Sequence, residues 1–193
     1  MVGEAMEEYK KIVKNRLSNK RYEHSLGVAE TARELAVRNG ADFNKAYLAG
    51  ILHDYAKELS SEELLKIAAS NNLITDKVEI KEPQLLHGKV GAYLIKNELG
   101  IYDEDILKAI RFHTTGCADM DLLTQIIYIA DYIEPNRKFP GVEKMRKTTF
   151  INLAQGVFEG LDQTLKYVLE KKGLIHYLSV QARNWLLISG KVK

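Results

Sequence analysis

The sequence predicts an all-α protein. Only three prolines interrupt its 193 residues, and no stretch alternates apolar and polar residues as a half-buried strand would. Apolar residues instead return at helical spacing in segment after segment. The length suits one compact domain over residues 1–193.

Taken in order, Tyr9, Ile12, Val13 and Leu17 mark an amphipathic helix over roughly residues 4–18. A second runs from about Tyr22 to the stop signal Asn39-Gly40, with His24, Val28, Thr31 and Leu35 on its inward stripe. Asp42 caps a third, in which Phe43, Ala46, Tyr47 and Gly50 lead into His53-Asp54. Ser60 and Glu63 form a capping box and open a fourth helix through about Ser70. Residues 71–83 are polar and read as a connection. Pro83 starts the next helix, which ends before Gly100 and lines one face with His87, Val90, Gly91 and Leu94. Gly91 is expected to admit a close backbone or ligand.

Asp103 caps a helix whose stripe Ile106, Ala109, Ile110 and His113 ends at Thr114-Thr115-Gly116. From about Leu122 to Glu134 the chain is apolar nearly all round, the mark of a buried helix, with Asp131 inside it. A short helix near 142–148, a long one over about 150–172 stopped by Gly173, and a last one over roughly 179–189 complete the chain. The loops 71–83, 114–121 and 134–141 are candidate pocket walls.

Composition narrows the class. The 46% apolar and 28% charged residues are those of an ordinary globular protein, and a formal charge of +2 argues for neither nucleic-acid nor membrane partners. The single cysteine, Cys117, excludes an internal disulfide framework. With no secretory segment and no apolar run long enough to span a bilayer, the expected location is the cytoplasm.

Six polar residues stand out against this background. His24, His53, His87 and His113, four of the five histidines, sit on or beside apolar stripes, joined by Asp54 and Asp131. A lone histidine so placed is more often a hydrogen-bonded core residue than a ligand. Six together are not explained by packing: a carboxylate within Ile126-Ile127-Tyr128-Ile129-Ala130-Asp131 is costly to bury without a cation or hydrogen bonds. Imidazoles and carboxylates without thiolate suit Fe, Mn, Zn, Co or Ni rather than Ca²⁺ or Mg²⁺. The set is too large for one hydrolytic ion, which needs an open position. Two ions about 3.5–4 Å apart, bridged by Asp54 and a hydroxide, accommodate it and attract phosphate.

At these residues the chain resembles the HD-domain metallophosphohydrolases. His24-Ser25-Leu26-Gly27-Val28, His53-Asp54-Tyr55-Ala56-Lys57, Leu85-Leu86-His87-Gly88, Phe112-His113-Thr114-Thr115-Gly116 and Tyr128 through Arg137 are similar to the bacterial YqeK family, and the similarity extends through Ala182-Arg183-Asn184. The resemblance implies an HD-domain helical bundle with a metal core over about 20–135 and extra C-terminal helices over about 142–190. It also implies symmetrical hydrolysis of diadenosine tetraphosphate to two ADP by a di-iron centre.

Beyond the ligands, Lys57 lies four residues after His53, on the same side if the helix continues, and would neutralise charge on phosphoryl oxygens. Thr114, Thr115 and Gly116 are candidate phosphate donors, and Arg137 a bidentate phosphate grip. Arg183 and His176 are further substrate-pocket candidates, with His176 read as structural or base-facing. Cys117 reads as an unreactive thiol. Other readings are a phosphatase for mononucleotides or other nucleotides, a nucleotide sensor with little turnover, and a helical interaction domain whose histidines merely pack. Homodimerisation is compatible with the sequence, but no motif requires it.

Overall fold

The computed structural model describes residues 2–192, and among them there are helices and turns but no strand. The helices are α1 (Val2–Arg16), α2 (Asn19–Asn39), α3 (Phe43–Leu52), α4 (Ser61–Ser70), α5 (Lys77–Lys81), α6 (His87–Glu98), α7 (Glu104–Phe112), α8 (Leu122–Ile133), α9 (Val142–Ile151), α10 (Leu153–Glu170) and α11 (Tyr177–Ile188). Local chemistry sets their ends. The Asp42 carboxylate accepts from the Asn44 and Lys45 amides at the start of α3, and Ser60 with Glu63 forms the expected capping box on α4. Gly40, at φ 73°, closes α2 in the left-handed region.

Three stretches differ from the sequence expectation. The connection 71–83 contains α5, because Asp76 and Glu79 form a second capping box that stabilises even a five-residue helix. Pro83 opens a 3₁₀ turn, Pro83–Leu86, and the α-helix proper starts only at His87. The expected short and long C-terminal helices are both present, but the short one runs on to Ile151 and they meet at Asn152, whose extended backbone and side chain cap α10 through the Gln155 amide.

The core gathers around α8, which packs against α2, α3, α7 and α10. Ile126, Ile127, Ile129 and Ala130 of α8 are fully buried with Val28, Leu35, Ile51, Ile110, Val157 and Leu161. Truncating one of the large side chains to alanine would cost roughly 2–5 kcal/mol. A smaller cluster, Ala56, Leu64, Ala68, Leu86 and Val90, holds α4 against α6.

Two glycines set the spacing that the site depends on. A Cβ on Gly50 would lie 2.6 Å from the Ala29 Cα, so α3 touches α2 backbone to backbone. A Cβ on Gly88 would lie 2.9 Å from the carbonyls of Ile110 and Arg111, which draws α6 onto α7. Gly91, the expected point of close approach, has only ordinary contact, with the Ala56 Cβ 3.8 Å away. No helix among the described residues is long and apolar enough to cross a membrane.

Candidate metal centre

The six residues singled out by sequence converge. His24 comes from the buried face of α2; His53 and Asp54 follow the C-terminus of α3; His87 opens α6; His113 follows α7; and Asp131 lies near the end of α8. Asp54 occupies the middle. Its Oδ2 is 3.3 Å from His53 Nε2 and 3.8 Å from His24 Nε2. Its Oδ1 is 3.3 Å from His87 Nε2 and 3.7 Å from His113 Nε2. Asp131 Oδ1 lies 3.0 Å from His24 Nε2 and 3.9 Å from His53 Nε2.

The outer nitrogens fix the protonation of every ring. His53 Nδ1 donates to the Gly50 carbonyl at 2.7 Å, His87 Nδ1 to that of Gln84 at 2.5 Å, and His113 Nδ1 to that of Ile110 at 2.7 Å. His24 Nδ1 donates to Glu134 Oε1 at 3.0 Å. A carbonyl or carboxylate can only accept, so the proton of each neutral ring sits outside and the Nε2 lone pair points inward. His87 Nε2 and His113 Nε2 then face each other at 2.9 Å. The buried Nε2 atoms of His24 and His53 have no hydrogen-bond partner of good geometry. Outward-anchored imidazoles with inward lone pairs form the donor set that a divalent cation takes, and His24, His53 and Asp131, or His53, Asp54 and His113, are each close enough to share one.

The electrostatics agree. Burial pushes the Asp54 carboxyl upward, but the surrounding His53, His113 and His87 imidazoles outweigh it and hold the group well below the carboxylate range. Asp131 is likewise held down against burial by His24, His53 and Arg137. Burial lowers His87 to about 4, leaving it neutral at pH 7.

Around this cluster the other sequence candidates divide. Lys57 is half-buried and its ammonium makes no hydrogen bond among the described residues; burial lowers its pKa, as do Arg21 and Arg137, while Asp54 and Asp131 raise it. It reaches the centre by a route other than helical spacing: α3 ends at Leu52, and turns closed by Tyr55 N to Leu52 O and Lys57 N to Asp54 O carry the chain there. Thr114 Oγ1 lies 3.2 Å from His87 Nε2 and 3.1 Å from His113 Nε2, inside the cluster. Thr115 is turned away and donates to the Gly116 carbonyl at 2.9 Å. The Gly116 amide is consumed by the Phe112 carbonyl, and a Cβ there would sit 2.9 Å from that of Ala182, so Gly116 serves packing against α11. Arg137 first secures Asp131, donating to its Oδ1 at 2.5 Å and its carbonyl at 2.8 Å.

Two candidates lie elsewhere. His176 is buried, bonded to Glu79 Oε1 at 3.1 Å, and accepts the Leu178 amide at the start of α11. Its contacts are those of the structural reading, and it lines neither hollow beside the centre. Arg183 pairs with Asp162 at 2.5 Å over the Phe158 ring and lines neither hollow beside the centre. Cys117 is buried, and burial pushes its thiol up to about 11, which keeps it inert at neutral pH.

Two participants escape sequence reasoning. Arg21 donates to Asp54 Oδ2 at 2.9 Å, and Glu134 orients His24 while its Oε2 accepts the Asn136 amide at 2.7 Å. The available signal was helical spacing, since each lies three residues from a ligand on the same helix or its end.

Comparison with known proteins agrees with this geometry. The HD domain matches residues 21–136, which include all six converging residues. A symmetrical bis(5'-nucleosyl)-tetraphosphatase from Bacillus subtilis is 44% identical over 91% of this chain and 94% of its own. One of the same name from Halalkalibacterium halodurans is 44% identical over 93% and 96%. The chain belongs to the HD-domain family, among the symmetrical bis(5'-nucleosyl)-tetraphosphatases. A solved Clostridium acetobutylicum protein, described as an HD superfamily hydrolase involved in NAD metabolism, superposes on this HD-domain protein with a TM-score of 0.92. The two share 43% identity over 95% of this chain and 97% of that one. HD-domain membership implies divalent metal cofactors, and the residues present fit them.

Proposed function

We propose that this protein hydrolyses diadenosine tetraphosphate symmetrically to two ADP in the cytoplasm, using two divalent ions, iron by family resemblance. His24, His53, Asp54 and Asp131 would hold one ion, and His87, His113 and Asp54 the other. The observation that carries this reading is the placement of Asp54, whose Oδ2 faces His53 and His24 while its Oδ1 faces His87 and His113. When bound, such ions supply Lewis acidity and a water of lowered pKa.

The protein's own groups supply positioning and charge. Hydrolysis adds water across the central phosphoric anhydride, one ADP gaining hydroxyl and the other leaving with the bridging oxygen. Arg21, Lys57 and Arg137 ring the acidic centre, and their positive charge favours a polyanion there. Arg21 and Arg137 also fix the carboxylates Asp54 and Asp131 by hydrogen bonds. A groove of about 730 Å³ opens beside His24, lined by the basic Lys20, Arg21 and Arg137 and by the acidic Glu23, Glu58 and Glu134.

The test is anaerobic hydrolysis of diadenosine tetraphosphate, with products resolved by chromatography and metal measured on the same sample. ADP as sole product, lost with the metal in His53→Ala, is the expected result. ATP plus AMP would overturn symmetric attack. No turnover by metal-loaded protein would overturn the substrate.

A further inference from the structure

A second hollow, of about 300 Å³, opens on the other side of Arg137, lined by Asp131, Tyr132, Arg137, Phe139, Gln163 and Tyr167. Its character differs from the charged groove. Tyr132 and Phe139 pack edge to face, with ring centroids 5.5 Å apart, and the Tyr132 hydroxyl donates to Thr164 Oγ1 at 3.3 Å, the Thr164 proton going to the Gly160 carbonyl, so this wall is fixed. Tyr167 of α10 lines the same hollow, with 59% of its surface exposed and no ring stacked on it among the described residues. Lys171 lies 5.9 Å from its centroid. Gln163, one helical turn earlier, has an amide with no hydrogen bond to another described residue.

We propose that this hollow is a nucleobase slot, in which a base stacks on Tyr167 and the Gln163 amide meets its polar edge. Continuity with the centre commits the slot to a nucleotide. Asp131 is a proposed ligand, Arg137 lines both hollows, and a phosphate held at the ions therefore places an attached nucleoside at the slot's mouth. An open aromatic face beside a free amide is the chemistry that stacks a heterocycle and reads its edge. The charged groove on the far side of Arg137 is left for the remaining phosphates and the second nucleoside.

This inference rests on the proposed nucleotide chemistry of the centre, so binding is measured apart from turnover. The experiment titrates ADP and, separately, inorganic pyrophosphate calorimetrically into anaerobic, metal-loaded wild type, Tyr167→Ala, Tyr167→Phe and Gln163→Ala. Tyr167→Ala should weaken ADP binding about tenfold, Gln163→Ala should weaken it less, and Tyr167→Phe should bind as wild type does. Pyrophosphate should bind all four alike. Equal ADP affinity in wild type and Tyr167→Ala would overturn the slot. So would an equal loss of pyrophosphate, or a wild type that does not bind ADP. A protein that discriminates ADP through Tyr167 yet fails to cleave diadenosine tetraphosphate supports the slot while removing the proposed activity.

Discussion

The Nε2 atoms of His87 and His113 face each other at 2.9 Å, and both rings give their Nδ1 proton to a backbone carbonyl of the preceding turn. Two inward lone pairs at that distance repel until a cation lies beside them. Chelation should therefore destabilise the fold, and restoring a divalent ion at ~100 times its Kd should return about 2.7 kcal/mol. Thermal unfolding with and without chelator checks this. An unchanged Tm would mean that the cluster is satisfied without metal.

Gly88 makes that approach possible, because the position of its missing Cβ lies 2.9 Å from the Ile110 and Arg111 carbonyls. Gly88→Ala must push α6 away from α7 and part His87 from His113. We expect a stability loss of about 1–3 kcal/mol, with metal content falling in the folded fraction. Full metal content in a stable variant would show that the helices adjust elsewhere.

Glu134 holds His24 by its Nδ1 proton and is almost fully buried. Outer partners of this kind typically change metal affinity 10- to 100-fold when removed, so Glu134→Ala should weaken binding by about that factor. Glu134→Gln, which keeps an acceptor for Nδ1, should lose less. Competition with a fluorescent chelator measures both. Equal affinities in wild type and Glu134→Ala would sink the idea.

The converging set was legible because burial conflicts with polarity: a histidine or aspartate on an apolar stripe is visible in the order of residues alone. Asp131 among isoleucines is the plainest case. Arg21 and Glu134 carried no such conflict, since an arginine or glutamate near a helix end looks solvated until the tertiary partner is known. The same limit left the role of His176 open, since its partner Glu79 lies 97 positions away. Thr114 and Thr115 are indistinguishable in sequence; only the turn decides that one faces the imidazoles and the other its neighbour's carbonyl.

The Lys57 ammonium sits among two carboxylates and two arginines without a hydrogen bond to another described residue. An ammonium kept free in this way is available to charge that develops on the phosphoryl group. Lys57→Ala should lower kcat about 100-fold while leaving metal content intact. A change confined to KM would make it a residue of ground-state binding instead.

Glu79 anchors a buried polar cluster away from the metal centre. Its Oε1 is 2.5 Å from Lys89 Nζ and 3.1 Å from His176 Nε2, and its Oε2 accepts the Thr75 and Asp76 amides at 2.7 and 3.1 Å. Lys89 is further held by Thr75 Oγ1 at 2.6 Å and the Leu73 carbonyl at 3.2 Å. Burial raises the Glu79 carboxyl, but the hydrogen bonds from His176 and Lys89 and from the backbone outweigh it and lower the group to about 2, against an ordinary 4.5. A depressed carboxyl stabilises the fold above its unfolded value and loses that contribution as pH falls through the folded one. Glu79→Gln strands the Lys89 ammonium in the interior and should cost about 3–5 kcal/mol at pH 7. The gap to wild type should stay full above pH 4.5 and shrink as pH falls toward 2, as protonation of Glu79 makes the native side chain as neutral as the glutamine. Urea unfolding of both proteins across that range reads the gap directly. A gap that stays constant with pH would mean that Glu79 acts through packing rather than through its charge.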